Sequence, residues 1–474
     1  MEILQFKLDN FSKHKTVRCD VKYWNAMESL ELDRTIKIKD KFHIITGTTQ
    51  TQYYTSEKTD IPYVRIGDMQ LKGNIEIENL IYLNDDCELS DEKILREDDL
   101  VIATIGSTVG KLCVSKNVIG GTVSNNISIL RKNRDDVEVE FYELLFKSDL
   151  YYDLFRNIAS QKAQPNLNEY DLMNLPLPQV SNEKIKGALK KTKLLRKNLL
   201  KYTNSKENIK KIIDNALESF FGYDFNLFNE LKSNKIQINN LKDFSNNVDL
   251  RFSAKYHRKA GIFVTDELSK NSVKIKKALY NISMTGKGIS PKDFEEDTEY
   301  YYITMADIST WEIDYQNLKT VSADYEDKNS LKKPKGEKET YSTKVKKGDI
   351  LMMRSGEGGI GKVALVTQDI NAIFSDFIIR FRFDEDKYIP KFCYYYMRSE
   401  YFQYLVEIHK KGLGNNTNIF PNIINEFPIP NIAKNEQKKI ISEIQNHIMQ
   451  QKEIDKKIES IQKEISDIIE KNIL

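Results

Sequence analysis

The feature that most restricts what this chain can fold into is that it is written twice. "RCDVKYWN" (Arg18 to Asn25) is answered by "RFSAKYHR" (Arg251 to Arg258), and "YVRIGDMQ" (Tyr63 to Gln70) by "YITMADIS" (Tyr302 to Ser309). "DLVIATIGSTVGKLCV" (Asp99 to Val114) returns as "DILMMRSGEGGIGKVALV" (Asp349 to Val366), and "LPLPQV" (Leu175 to Val180) as "FPIPNI" (Phe427 to Ile432). One such pair is within the reach of chance; four in the same order describe a duplicated module, far longer than a solenoid repeat. The 474 residues also exceed a single ordinary core.

Within each copy the pattern changes at the Pro-x-Pro. Before it stand short β-rich runs broken by Gly and Asn turns, such as "DLVIATIG" and "NNISILRK" in copy one and "DILMMRS", "KVALV" and "DFIIRFRF" in copy two. "EFYELLFKSDLYYDLFRNIAS" and "PKFCYYYMRSEYFQYLVEIHKKG" read as helices laid on those sheets. Each copy therefore opens with a mixed α/β domain.

After the Pro-x-Pro comes a long helix. Ala188, Thr192, Leu195, Leu199, Tyr202, Lys206, Ile209, Ile213, Ala216 and Phe220 alternate steps of four and three, a heptad seam with Lys206 as its one charged member. Ile454, Ile458, Ile461, Ile465 and Ile468 keep the same rhythm in copy two, led in by Ile440, Ile441, Ile444 and Ile448. A helix with one apolar stripe needs a partner, and the economical solution pairs the two with each other. The expected fold class is α+β, with two mixed domains joined by two long helices in an antiparallel coiled coil and related by a pseudo-twofold axis. The expected boundaries are 1–180, 181–225, 226–430 and 431–474.

Composition bounds the chemistry. The chain is 40% hydrophobic and 30% charged, with a net charge of only +2, and no run is apolar enough to cross a membrane. Cys19, Cys87, Cys113 and Cys393 are far apart and the five histidines are scattered, so neither a zinc site nor a disulfide framework is expected, and a reducing cytoplasm fits. The amino terminus has no apolar core of a signal peptide.

"RSGEGGIGKVALV" (Arg354 to Val366) nearly spells a nucleotide-binding loop, but Val363 stands where Ser or Thr is needed to hold magnesium. The residues that follow read as a strand and not as the helix such a loop must open. Its twin, Gly106 to Lys111, is one residue shorter. No GxSxG elbow, HExxH helix or methyltransferase signature occurs, and acidic triplets such as "SDEK" (Ser90 to Lys93) read as solvated surface. No catalytic residue, cofactor site or metal site is assigned to the chain.

Tight Gly-bearing loops let a backbone approach a phosphate or a base edge. Copy one presents Ser107, Thr108 and Lys111; copy two presents Arg354, Ser355, Glu357 and Lys362. Four further polar loops supply Gln50, Gln52, Tyr53 and Tyr54; Gln161, Lys162, Gln164 and Asn166; Thr285 and Lys287; and Asn415, Asn416 and Asn418. Arg65 sits in the "YVRIGDMQ" strand. Gln, Asn, Arg and Lys are the side chains that read adenine and guanine edges; the other reading is an ordinary polar loop with Gly and Asn at its turns. The outside of the first long helix carries Lys184, Lys186, Lys190, Lys191, Lys193, Arg196, Lys197 and Lys201, either a solvated face or an attractor of phosphates.

The doubled order of these motifs resembles the DNA-specificity subunit of type I restriction-modification systems, over almost the whole chain. The resemblance implies that 1–180 and 226–430 are target-recognition domains, each reading half of a bipartite site on double-stranded DNA. It implies that 181–225 and 431–474 are central spacer helices that dock methyltransferase subunits, with a translocase-nuclease (restriction) subunit completing the complex. S-adenosylmethionine, ATP and Mg2+ would then belong to partners. About 39 residues of helix reach at most ~58 Å at ~1.5 Å per residue, which accommodates a spacing near one DNA turn of ~34–36 Å. Copy two has "GNNTNIF" where copy one has "AQPNLN", as expected of halves that read different sequences. The alternatives are a specificity module of another restriction or phage-defence assembly, or a coiled-coil scaffold without a DNA role.

Overall fold

The computed structural model describes residues 30, 35–55, 57–77, 80–159, 165–234, 256–296, 298–326, 330–334, 339–356, 359–412 and 417–473. The motif Arg18 to Asn25 and the start of its echo at Arg251 lie outside them. The chain divides into two compact units, residues 1–206 with 454–474, and residues 207–453.

The first unit is built on a four-stranded antiparallel sheet in the order Phe42–Thr46, Ile127–Lys132, Leu100–Ala103, Leu112–Val114. A smaller sheet holds Tyr54–Thr55, Ile81–Leu83, Pro62–Val64 and Thr122–Val123, the last pair parallel. The second unit repeats the first sheet as Met284–Thr285, Ile378–Phe381, Ile350–Met353, Val363–Leu365, and again pairs its "YITMADIS" strand, Tyr301–Ile303, in parallel with Ala372–Phe374. The strands are short because each apolar run is closed by a turn: "YVRIGDMQ" is extended only over Pro62–Val64 before a 3-10 turn at Ile66–Asp68.

Two pieces of chemistry behind the repeat become visible. Asp99 Oδ1 and Oδ2 accept a fork from Arg131 at 2.9 and 2.7 Å, and Asp349 accepts the same fork from Arg382 at 2.6 and 2.7 Å. Each aspartate also caps its own turn, taking the backbone N–H of Arg96 or of Lys346 at 2.8 Å. Glycine at 47 and 286 is the second. A Cβ on Gly47 would stand 2.1 Å from the Ser124 carbonyl oxygen, and one on Gly286 1.8 Å from that of Phe374. Gly286→Ala should therefore force two backbone segments apart at a cost of about 1–3 kcal/mol or more, read as a lowered unfolding midpoint. Gly67→Ala, where nothing lies within 4 Å, serves as the control expected to leave it unchanged.

Each helical segment over the sheet is a pair of helices. Val139–Lys147 and Asp149–Ile158 meet at Ser148, and Pro390–Arg398 and Glu400–His409 meet at Ser399. Both serines are extended, and their hydroxyls accept the N–H of Tyr151 and of Phe402, so each caps a fresh helix. The Pro-x-Pro segments, expected to close one element and lead into a helix, are themselves edge strands. Pro176–Pro178 pairs with Thr35–Lys37 and Pro428–Pro430 with Ser272–Lys274, burying Leu177 and Ile429.

The first spacer is not one helix over 181–225. It runs Asn182–Asn204, breaks at Ser205–Asn208, and resumes as Ile209–Phe221. Asn208 accepts the Lys211 N–H as a new cap, and Glu207 donates its backbone N–H to Gln451 Oε1 at 2.9 Å, so the break is satisfied by side chains. Lys206, the charged seam position, lies in the break and pairs with Asp455 at 2.7 Å. The second spacer is continuous from Lys434 to Ile473.

In the first unit Asn182–Asn204 runs antiparallel to the last turns of the C-terminal helix. Lys457 lies over the Tyr202 ring near one end, while Ile185 and Ala188 share a core with Ile465 and Ile469 at the other. The buried residue of the last turn is Ile469, with the expected Ile468 only half-buried. The helix turns that way because Ser466 and Glu470, on the same side, take the Asp149 and Leu150 N–H groups at 2.8 and 3.1 Å. In the second unit Ile212, Ile213, Ala216 and Leu217 pack with Ile440, Ile441 and Ile444. There Asp214 takes the Glu400 N–H at 2.8 Å, at the position equivalent to Asp149. Burial pushes the Asp214 carboxyl up to about 7.

Candidate nucleic-acid interface

In each unit three sequence-distant loops are laced together by backbone hydrogen bonds at one end of the main sheet. In the first, Gly47 and Thr48 donate to the carbonyls of Ile127 and Val123 at 3.0 and 2.9 Å. Thr104 donates to Asn126 at 3.0 Å, Leu167 to Thr104 at 2.8 Å, and Gly106 to Pro165 at 2.8 Å. In the second, Gly286 and Lys287 donate to Ile378 and Phe374, Arg354 to Phe377 at 3.0 Å, and Ile419 to Arg354 at 2.9 Å. Four of these bonds correspond one to one between the units. Even the tyrosine props agree: Tyr63 Oη donates to the Thr48 carbonyl at 2.8 Å and Tyr302 Oη to that of Lys287 at 2.7 Å.

This lattice gathers Ser107, Thr108 and Asn166 in the first unit. Ser107 and Asn166 are exposed. Gly106 carries a φ of +79°, a conformation that glycine adopts without strain. A cleft of about 240 Å³ opens beside them, walled by Asp153, Arg156, Asn157 and Pro165. Gln50 and Gln52 continue from the Gly47 turn and bond to one another through Gln52 Nε2 and Gln50 Oε1 at 3.3 Å. Tyr53 and Tyr54 pack on the small cluster of Tyr63, Leu83 and Cys87, so much of each ring is structural. Arg65 is forked onto Asp68 at 3.0 and 3.1 Å. Gln161, Lys162 and Gln164 lie outside the described residues.

In the second unit Thr285, Lys287, Arg354, Ser355 and Asn418 come together, Ser355 pairing with Asn418 as an isolated bridge. Asn415, Asn416 and Glu357 lie outside the described residues. Lys332, absent from the sequence-based candidates, belongs to the same cluster. Its ammonium donates to Thr285 Oγ1 at 2.8 Å and to the Gly286 carbonyl. Burial first, and then the neighbouring Arg354 and Lys287 charges, hold Lys332 below the ordinary lysine range, with Asp376 opposing. It arrives on a hairpin, Leu331–Lys332 with Tyr341–Ser342. That hairpin is anchored by the buried Arg380, which donates to the Ser342 and Lys344 carbonyls at 2.8 and 2.9 Å.

Lys362 is not presented as a nucleotide-binding lysine would be. Its loop joins the antiparallel strands Ile350–Met353 and Val363–Leu365, and its ammonium donates to the Ser309 carbonyl at 3.0 Å. Lys111 does the same to the Met69 carbonyl at 3.1 Å. Both lysines tie a hairpin to the turn after the preceding strand. Burial pushes the Cys113 thiol up to about 11 and the Cys393 thiol well above its ordinary range, so neither offers a thiolate at neutral pH. Among the described residues no group of three His, Cys, Asp or Glu side chains is placed to hold a metal ion, and no helix is long and apolar enough to cross a membrane.

A sequence model described as "Type I restriction modification DNA specificity domain" matches the chain twice, over residues 33–219 and 276–463. No curated protein sequence matches significantly. Among solved structures, a type I restriction-modification S subunit from M. genitalium aligns at 12% identity and a TM-score of 0.38, covering 94% of this chain and 97% of its own. The HsdS subunit of Thermoanaerobacter tengcongensis aligns at 13% and 0.32, over 93% and 96%. A chain from work on complex assembly and conformational transition of the type I R-M system aligns at 13% and 0.40, over 93% and 97%. Superpositions this loose say nothing about individual residues.

Proposed function

Because the chain belongs to the family of type I restriction-modification DNA specificity domains, carrying that domain twice, we propose that it is a non-catalytic specificity subunit. In this reading each unit reads one half of a bipartite, asymmetric site on double-stranded DNA. The observation that supports it is the pair of matching loop lattices with unlike side chains. One backbone frame presents Ser107, Thr108 and Asn166 in the first unit and Thr285, Lys287, Arg354 and Asn418 in the second. A frame that is kept while its side chains change is what two readers of different sequences require, since base edges are told apart by donor and acceptor pattern.

The spacer helices would dock methyltransferase subunits, and a restriction subunit would join them. S-adenosylmethionine, ATP and Mg2+ chemistry would lie on those partners. Seven lysines of Asn182–Asn204 are exposed, and Arg196 donates to Glu140 and to the Leu189 carbonyl. If that face meets phosphates, binding falls steeply with salt, the slope tracking how many phosphates are neutralised.

The test is selection of random duplex DNA on the full chain assembled with its methyltransferase. A split motif with a constant gap is the expected outcome; absence of any enriched sequence would end the proposal. Replacing Lys184, Lys191 and Lys197 with Gln should flatten the salt slope by roughly one unit for each phosphate no longer neutralised, with the preferred sequence unchanged.

A further inference from the structure

Matching the two lattices residue by residue exposes three positions where the units differ in kind. Thr104 is bonded through its backbone to Asn126 and Leu167, and Arg354 to Phe377 and Ile419. Asn168 follows Leu167 and begins the helix Glu169–Asn174, just as Phe420 follows Ile419 and begins the helix Pro421–Ile424. The equivalent sets are therefore Thr104, Asn126 and Asn168 in the first unit, and Arg354, Phe377 and Phe420 in the second.

The second set is unusual for a surface. Phe377 and Phe420 are 45% and 42% exposed, large aromatic area left in water. The Arg354 guanidinium is held in two ways. Its Nε donates to the Asp376 carbonyl at 2.7 Å, and its central carbon lies 5.6 Å from the centre of the Phe420 ring. Among the described residues its two terminal nitrogens carry no hydrogen bond. An arginine anchored through Nε and against a ring has already lost most of its rotamer freedom, so the ordering cost of binding is reduced. Its remaining paired donors suit the O6 and N7 acceptors of guanine in the major groove. A phosphate would accept the same donors, but exposed aromatic walls favour a base edge, from which they exclude water.

We propose that Arg354, packed against Phe420 and bonded through its backbone to Phe377, reads a guanine in the half-site of the second unit, and that Thr104, Asn126 and Asn168 deny the first unit any such contact. The inference rests on the reading that each unit recognises DNA. Lys332 and Lys287, beside the same turn, supply positive charge without choosing a base.

The experiment selects random duplex DNA on the full assembled chain and on Arg354→Thr, Arg354→Lys and Phe420→Asn, each first checked for an unchanged unfolding midpoint. Phe420→Asn places the first unit's own cap residue at the helix start, so folding is preserved. For the unaltered chain, a guanine position in one half-site is expected. Arg354→Thr should lower the preference there by about 10- to 100-fold and leave the other half-site untouched. Arg354→Lys, which keeps the charge but not the planar pair of donors, should keep general affinity and weaken the guanine preference. Replacing that guanine by 7-deazaguanine, which lacks N7, should weaken binding of the unaltered chain and not of Arg354→Thr. Uniform weakening on all sequences, or full guanine preference in Arg354→Lys, would make Arg354 a phosphate contact and overturn the inference while bipartite recognition stands. An unaltered chain that enriches no sequence overturns both.

Discussion

Asp349→Ala lowers the stability of the second unit by about 3–5 kcal/mol, the cost of leaving a buried partner charge without compensation. The Asp349 side chain has no exposure and Arg382 retains 19%, so water compensates only in part for what is removed. Arg382 would keep its charge among the Lys344 carbonyl and the strand Ile350–Met353, and the Lys346 N–H would lose its cap. Asp99→Ala should act equally on the first unit, where the side chains of Asp99 and Arg131 are 2% and 11% exposed. Denaturant unfolding of each variant checks this through the transition of the affected unit. The double variant Asp349→Leu with Arg382→Met should recover most of the loss, because removing both charges from a buried pair is often close to neutral. A single-variant cost below about 1 kcal/mol, the range of exposed pairs, would mean that the site is wetter than its geometry indicates.

Lengthening the spacers is the second large effect. A heptad inserted within Ser205–Asn208, with a matching one in the C-terminal helix beside Asp455, keeps each apolar seam in phase, because seven residues are two turns of the seam. Seven residues add about 10.5 Å at 1.5 Å per residue, roughly three base pairs at 3.4 Å each. Under the proposed function the inserted chain should prefer a longer gap between half-sites and should lose the original target by 100-fold or more. Selection on random duplexes reads both. An unchanged gap in a chain that still binds would show that the helices do not set the spacing.

The break in the first spacer shows where sequence reasoning stops. The steps of three and four from Ala188 to Phe220 pass straight through Lys206. A heptad pattern records which side is apolar, and it does not record whether the backbone is continuous. Asn is a residue type that caps helices, but Gln451, which takes the Glu207 N–H, lies 244 residues away in sequence. The same holds at Ser148 and Ser399, ordinary serines in a helical pattern until the structure makes each one a cap.

The candidate site divides along the same line. Ser107, Asn166, Thr285, Arg354 and Asn418 were legible because they sit on Gly- and Asn-bearing loops that recur in both copies. Lys111 and Lys362 were legible as basic loop residues, but their bonds to the Met69 and Ser309 carbonyls required the fold. Lys332 gave no local signal at all. It lies in "SLKKPKGEKE", and only the hairpin held by Arg380 brings it to Thr285, 47 residues earlier.

By itself the sequence determined that this protein is a doubled module, where each copy changes from short strands to long helix, and part of each helix seam. Period two, period three and a half and an ordered repeat are all properties of residues near one another in the chain. Only the tertiary structure decided where helices end, which lysines are clamps, and that Arg354 packs against the exposed Phe420 ring. Those outcomes are hydrogen bonds and ring contacts between residues far apart in sequence, and no local pattern encodes which of them will meet.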